Sequence, residues 1–157
     1  MIRQGDGHIV NTASLAGLVP SPMLAPYAMT KHAVVGLSLS LRAEAAHHGV
    51  RVSALCPGPT ETPILDSTGP EGLAPHEGVS ARDLLTKASG GEIYPVEKLA
   101  EDFVRGVAAN KSLIVAPRRA RFTWWMQRLL PAQVENVTLR LAQWARQEAE
   151  KIERAVR

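Results

Sequence analysis

Residues 7–14, GHIVNTAS, and residues 26–41, PYAMTKHAVVGLSLSL, decide how this chain is read. The first stretch is a short β-rich apolar run, residues 7–13, that ends in Ser14, the pattern of a buried parallel strand. Residues 15–26 carry Gly17, Pro20, Pro22 and Pro26 and read as a loop. Pro26 then opens a helix expected to run to about His48, with Gly49 as its C-cap. That helix is rich in Ala, Leu and Val on most faces, which predicts burial on more than one side. Tyr27 and Lys31 stand four residues apart at its start, so they share one helical face. An ammonium beside a phenol favours the phenolate and makes it a usable proton donor and acceptor near neutral pH. Ser14, delivered from the end of the neighbouring strand, can hold a substrate oxygen close to that phenol.

Working outward, VRVSALC at 50–56 is a second strand, stopped by Pro57-Gly58. Residues 59–92 are rich in Pro, Gly, Ser and Thr and lack a long periodic pattern, apart from a short helical stretch near 80–88. Irregular chain of that length signals a functional loop. Apolar positions from Val96 to Val107 recur at helical spacing across 95–109, and SLIVA at 112–116 is a third strand. Alternation of helix and strand with right-handed crossovers predicts an α/β fold on a parallel three-stranded sheet. From Pro117 the composition shifts to an Arg- and Trp-bearing helical tail broken at Pro131.

Strand, Ser14, loop, Tyr27-x-x-x-Lys31 helix, strand, Pro57-Gly58 and Thr62 follow one another here in an order that resembles the short-chain dehydrogenase/reductase family over roughly residues 7–117. The resemblance implies part of a Rossmann-like doubly wound sheet. It also implies reversible hydride transfer between NAD or NADP and a small-molecule carbonyl or alcohol. In this reading Ser14, Tyr27 and Lys31 are catalytic. Ser14 binds the substrate oxygen, Tyr27 transfers the proton, and Lys31 tunes Tyr27 and binds the nicotinamide ribose. Pro57 and Gly58 pack against the nicotinamide, the backbone near Thr60 meets its carboxamide, and Thr62 adds a hydroxyl. Residues 59–92 become a lid over cofactor and substrate, and the 26–48 helix a homo-oligomer contact. No GxGxxG or GxxxGxG turn and no NNAG-like segment occurs in the sequence. The expectation is therefore the C-terminal half of such an enzyme, inactive by itself. The acidic or basic residue that would choose NAD or NADP is not among those quoted. The rival expectation is a non-catalytic remnant or interaction module acting through an apolar edge and a basic tail.

The 157 residues suffice for one domain. A hydrophobic content of 45% with 21% charged residues is that of an ordinary globular protein. The single cysteine, Cys56, excludes an internal disulfide framework and suits a reducing cytoplasm; it reads as a buried strand residue with no cation to activate it. No charged-then-apolar leader and no apolar run of about eighteen residues occurs. His47 and His48 are adjacent and so do not share a helical face, while His8, His32 and His76 are isolated; no metal site is expected. No nucleic-acid partner is indicated. The net charge of +3 comes from the tail, where nine Lys and Arg at 118–157 face four Glu. The division expected is thus 1–117 for the α/β part and 118–157 for a basic amphipathic tail. Trp124, Trp125, Leu129, Leu130, Val134, Val137, Leu141 and Trp144 read as packing or interface surface, with peripheral contact to a membrane as the alternative.

Overall fold

The structure is a computed structural model and describes residues 1–66 and 80–156. The expected lid at 59–92 therefore lies partly, at 67–79, outside the described residues, and so does His76.

Three strands form one parallel sheet in the order β1-β2-β3: β1 is Gly7–Thr12, β2 Val50–Pro57 and β3 Leu113–Ala116. The register runs from Gly7↔Val50 to Thr12↔Leu55, and from Ala54↔Leu113 to Pro57↔Ala116. The middle strand, β2, is enclosed on both faces, with Val52, Ser53, Ala54 and Cys56 fully buried. This is why it reads as an apolar run rather than an alternation. Its buried side chains join Ala13, Val35, Val115 and Ala120 in one core, and Val50 and Val52 join Ala45 in a second, smaller one.

Helix α1, Ala25–Ala45, carries Pro26 in its first turn, where a missing N–H costs nothing. It closes through a 3-10 turn, Ala46–His48, onto Gly49 at φ 71°. A side chain at Gly49 would run into the Gly5 carbonyl as well as straining the backbone. The expectation of burial on several sides is corrected here. Only Val35, Ser38 and Ala45 of α1 are buried, and Met29 and Leu37 stand exposed. The sheet offers this helix one face, and its apolar residues outnumber what that face can cover.

The stretch expected to be irregular holds a 3-10 turn at Pro63–Asp66 and a helix, α2, at Ala81–Ala88, capped by Ser80. Helix α3, Val96–Ala108, crosses close to β3, because Gly106 lets its backbone approach the Ile114 side chain. The tail is two helices, α4 at Arg118–Leu129 and α5 at Pro131–Val156, parted at Pro131 as the sequence predicts. The tail splits its paired tryptophans. Trp124 packs on the main core, while Trp125 is 52% exposed.

Candidate active site

Ser14 and the Pro57-Gly58 turn follow the C-terminal ends of β1 and β2, the side of an open parallel sheet where ligands bind, and Lys31 of α1 reaches the end of β1 at Thr12. Ser14 follows β1 by two residues, in extended backbone, and caps a one-turn 3-10 helix at Leu15–Gly17. Its Oγ accepts from the Ala16 N–H at 3.1 Å. A hydroxyl carries one donor beyond its lone pairs, so the Ser14 O–H remains available to an incoming oxygen.

Tyr27 sits in the first turn of α1 and is 39% exposed. Lys31, one turn on, places Nζ 5.3 Å from the centre of the Tyr27 ring. The same ammonium donates to the Thr12 carbonyl oxygen at 3.3 Å. Thr12 is the last residue of β1, and the Ala13 N–H turns the other way, to the Leu55 carbonyl of β2 at 2.8 Å. Backbone groups alternate sides along a strand, so the Thr12 carbonyl faces away from β2 and Lys31 covers it. Lys31 thereby ties the helix that carries Tyr27 to the strand that delivers Ser14. Gly17 completes the joint, since a Cβ there would come 2.5 Å from the Lys31 carbonyl oxygen.

Pro57 ends β2, and the Gly58 N–H donates to the Ala116 carbonyl at 2.7 Å. A side chain at Gly58 would press on Pro117 and Ala120, at 3.2 and 3.3 Å. Thr60 is buried and donates through Oγ1 to the Gly58 carbonyl at 3.0 Å, and Thr62 donates to the Thr60 carbonyl at 3.3 Å. Both hydroxyls thus brace the turn from inside, each keeping lone pairs for a ligand donor. Cys56 lies in the wall behind Ser14. Burial pushes its thiol up to about 12, against the smaller opposing pull of the Ser14 backbone N–H.

Two supports escape a reading of the sequence. Tyr94 pairs with Thr60 as an added strand-like rung, with Tyr94 N–H to Pro59 O at 2.9 Å and Glu61 N–H to Tyr94 O at 2.8 Å. Its hydroxyl donates to Asp102 of α3 at 2.9 Å. Burial works to raise the Asp102 carboxyl, but the hydrogen bonds from Arg105 and Tyr94 together outweigh it and hold the group below the ordinary carboxylate range. Arg82 of α2 forks onto two carboxylates, Asp66 at 2.7 and 2.8 Å and Glu61 at 2.9 and 2.7 Å. A lone Tyr before Pro95 and an Arg sixteen residues from its partner have no local pattern that marks them. Among the described residues no cluster of three potential metal ligands occurs.

Residues 1–72 match the family model described as short chain dehydrogenase. The chain is 53% identical over 66 residues to 2,5-dichloro-2,5-cyclohexadiene-1,4-diol dehydrogenase of Sphingobium indicum, covering 41% of this chain and 26% of that protein. It is 42% identical over 96 residues to 1-deoxy-11-beta-hydroxypentalenate dehydrogenase of Streptomyces exfoliatus, covering 59% of this chain and 35% of that one. Its fold is similar to a short-chain dehydrogenase from Sphingobium yanoikuyae, solved in complex with NADPH. That match has a TM-score of 0.60 and 26% identity, and it covers 74% of this chain and 40% of the other. The chain thus spans between 26% and 40% of the length of these three proteins.

Proposed function

The chain belongs to the short-chain dehydrogenase family, and from that premise we propose that it carries the proton-transfer half of a nicotinamide-dependent carbonyl/alcohol oxidoreductase. The observation behind this reading is the Lys31 ammonium, which touches both the Tyr27 ring and the end of the Ser14 strand. The residues fit the nicotinamide end of NAD or NADP. An ammonium has three donors, of which the Thr12 carbonyl takes one, leaving two for ribose hydroxyls. Gly58, Thr60 and Thr62 offer backbone and hydroxyl contacts to a flat amide-bearing ring. The glycine-rich turn that cradles a pyrophosphate is not in this sequence. Bound at this end, the nicotinamide would supply or take up the hydride.

The chain's own residues do the rest. Ser14 donates its hydroxyl hydrogen to the substrate oxygen and fixes where negative charge can form. Tyr27 gives that oxygen its proton in reduction and takes it back in oxidation. Lys31 stabilises the negative phenolic oxygen between these events. Residues 1–117 form the part that carries the site, with 59–92 shaping the substrate pocket and 118–157 a helical tail whose first helix packs on that part through Ala120 and Trp124. The exposed Met29–Leu37 side of α1 fits a contact with a second subunit, and a reducing cytoplasm suits the free thiol.

The test is Tyr27→Phe in the protein that carries this chain, assayed with NAD(P)H and a panel of ketones and aldehydes. Turnover should fall about 10²–10⁴-fold while nicotinamide fluorescence still reports binding. Lys31→Ala should weaken binding and rate together, and Lys31→Arg should not restore both, because a planar guanidinium replaces a compact ammonium poorly. Undiminished turnover in Tyr27→Phe would overturn the assignment. A second reading, an interaction module without catalysis, draws on the uncovered edge of β1. It predicts that NAD(P)H fluorescence does not change at any concentration of this chain.

A further inference from the structure

Helix α4 reads RRARFTWWMQRL and holds four arginines and no acidic residue. At 3.6 residues per turn, Arg118, Arg121, Phe122, Trp125, Arg128 and Leu129 fall within an arc of about 120°, and all six are exposed. Phe122 and Leu129 are 66% and 67% exposed. The opposite side of the helix is taken up by the fold, through buried Ala120 and core-packed Trp124. Of the four α4 arginines only Arg119, outside this arc, is ion-paired among the described residues, to Glu92 at 3.4 Å. The contrast with α5 is sharp, since α5 mixes its charges and pairs them along its own surface, as in Lys151–Glu148 and Arg154–Glu150.

We propose that α4 lies flat on an anionic lipid surface, with Phe122, Trp125 and Leu129 in the acyl boundary and Arg118, Arg121 and Arg128 on lipid phosphates. Bulky apolar and aromatic groups flanked by arginines that have no carboxylate partner among the described residues (Arg128 stacks over the Trp124 ring at 5.8 Å), in a helix about 18 Å long, are the chemistry of an interfacial helix. Arginine stems can lie along the apolar boundary while their heads stay at the phosphates. A second copy of the chain is a poorer occupant. Pairing the stripe with itself would bring guanidinium groups together with no carboxylate on either helix. Nucleic acid would satisfy the arginines but gain little from exposed Leu129 and the adjoining Leu130. No described helix is long and apolar enough to cross a membrane, so the contact is one of surface.

The experiment is sedimentation of the full chain with vesicles of phosphatidylcholine alone or with phosphatidylglycerol added. Binding should require the anionic lipid, weaken with added salt, and shift tryptophan emission to the blue. Trp125→Phe should keep binding and lose most of that shift. Each of Arg118→Gln, Arg121→Gln and Arg128→Gln should weaken partition about fivefold. Phe122→Ser with Leu129→Ser should abolish it, with unchanged circular dichroism showing that the fold survives. The proposal fails if the vesicles containing phosphatidylglycerol leave the chain in the supernatant, or if phosphatidylcholine alone sediments it equally well. It fails too if the same substitutions dissolve a dimer instead, or if the chain binds duplex DNA but not lipid.

Discussion

Gly17 and His8 show how much single residues decide in this molecule. Gly17 is the point where the turn after Ser14 meets the Lys31 backbone. In Gly17→Ala the new methyl must displace one of them, an overpacking that costs about 1–3 kcal/mol. A lowered midpoint in thermal unfolding, together with weaker NAD(P)H fluorescence, is the expected result; a variant as stable as the parent would contradict the contact. His8 lies at the other end of the sheet. Its Nε2 is 2.7 Å from Ser53 Oγ, whose single hydrogen goes to the Lys111 carbonyl at 2.6 Å. His8 Nε2–H must therefore be the donor, and in the neutral ring Nδ1 carries no hydrogen. Burial, then the nearby Arg51 and Arg42, hold the imidazole below its ordinary pKa. The unfolded chain thus takes the proton more readily, and stability that is complete above about pH 6.5 declines as pH falls through that value. Urea midpoints measured at neutral and mildly acidic pH should separate, and His8→Gln, which keeps a donor without titrating, should narrow the gap.

At the scale of elements, α2 is held at both ends by charge rather than by a large apolar face. Arg82 forks onto Glu61 and Asp66 at its start, and Lys87 Nζ lies 5.4 Å from the Trp144 ring of α5 near its end. Hydrogen bonds from Arg82 keep both carboxyls below their usual range, so the fork is present above that range and is lost as acid protonates them. Exposed ion pairs contribute little to global stability, but they can govern local opening. Arg82→Gln should leave the melting temperature nearly unchanged and speed proteolytic cleavage within 80–92; Arg82→Lys, which cannot fork, should behave like Gln. Equal cleavage rates in parent and variants would show that the fork holds nothing. This element also marks the limit of what the sequence discloses. Strands 7–13, 50–56 and 112–116, the Gly49 cap and the break at Pro131 were legible because each rests on neighbours in the chain. The Lys31–Tyr27 face was legible for the same reason, as helical spacing is a local rule. The fork, the Tyr94 rung and the splitting of Trp124 from Trp125 depend on partners brought together only by the fold. The exposure of α1 was misread because apolar content says how much a helix could bury, not how much neighbouring surface there is to cover it.

At the scale of the sheet, the consequential asymmetry is that, among the described residues, β1 pairs with β2 on one side only. Alternation from Ala13 puts the N–H groups of His8, Val10 and Thr12 on the open side. Such an edge invites another strand, so light scattering should find this chain associating as its concentration rises. Val10→Pro removes one outward donor at a position where an edge strand tolerates proline and should move the distribution towards monomer; an unchanged distribution would place the contact elsewhere. The pairing of β1 with β2 has a second consequence, for how such a protein can change over generations. Ser14 and the Pro57-Gly58 turn leave adjacent strands three rungs or fewer beyond the pair Thr12↔Leu55. In the proposed function, the spacing between Ser14 and the Pro57-Gly58 turn is thus a property of the backbone ladder, not of any loop. On that reading, positions 18–24 and 63–66, which lie off the Gly17 joint and the Thr60–Thr62 brace, can exchange side chains to suit a new substrate while the ladder keeps its spacing. Novelty is confined to the parts of the chain that can vary without touching the chemistry.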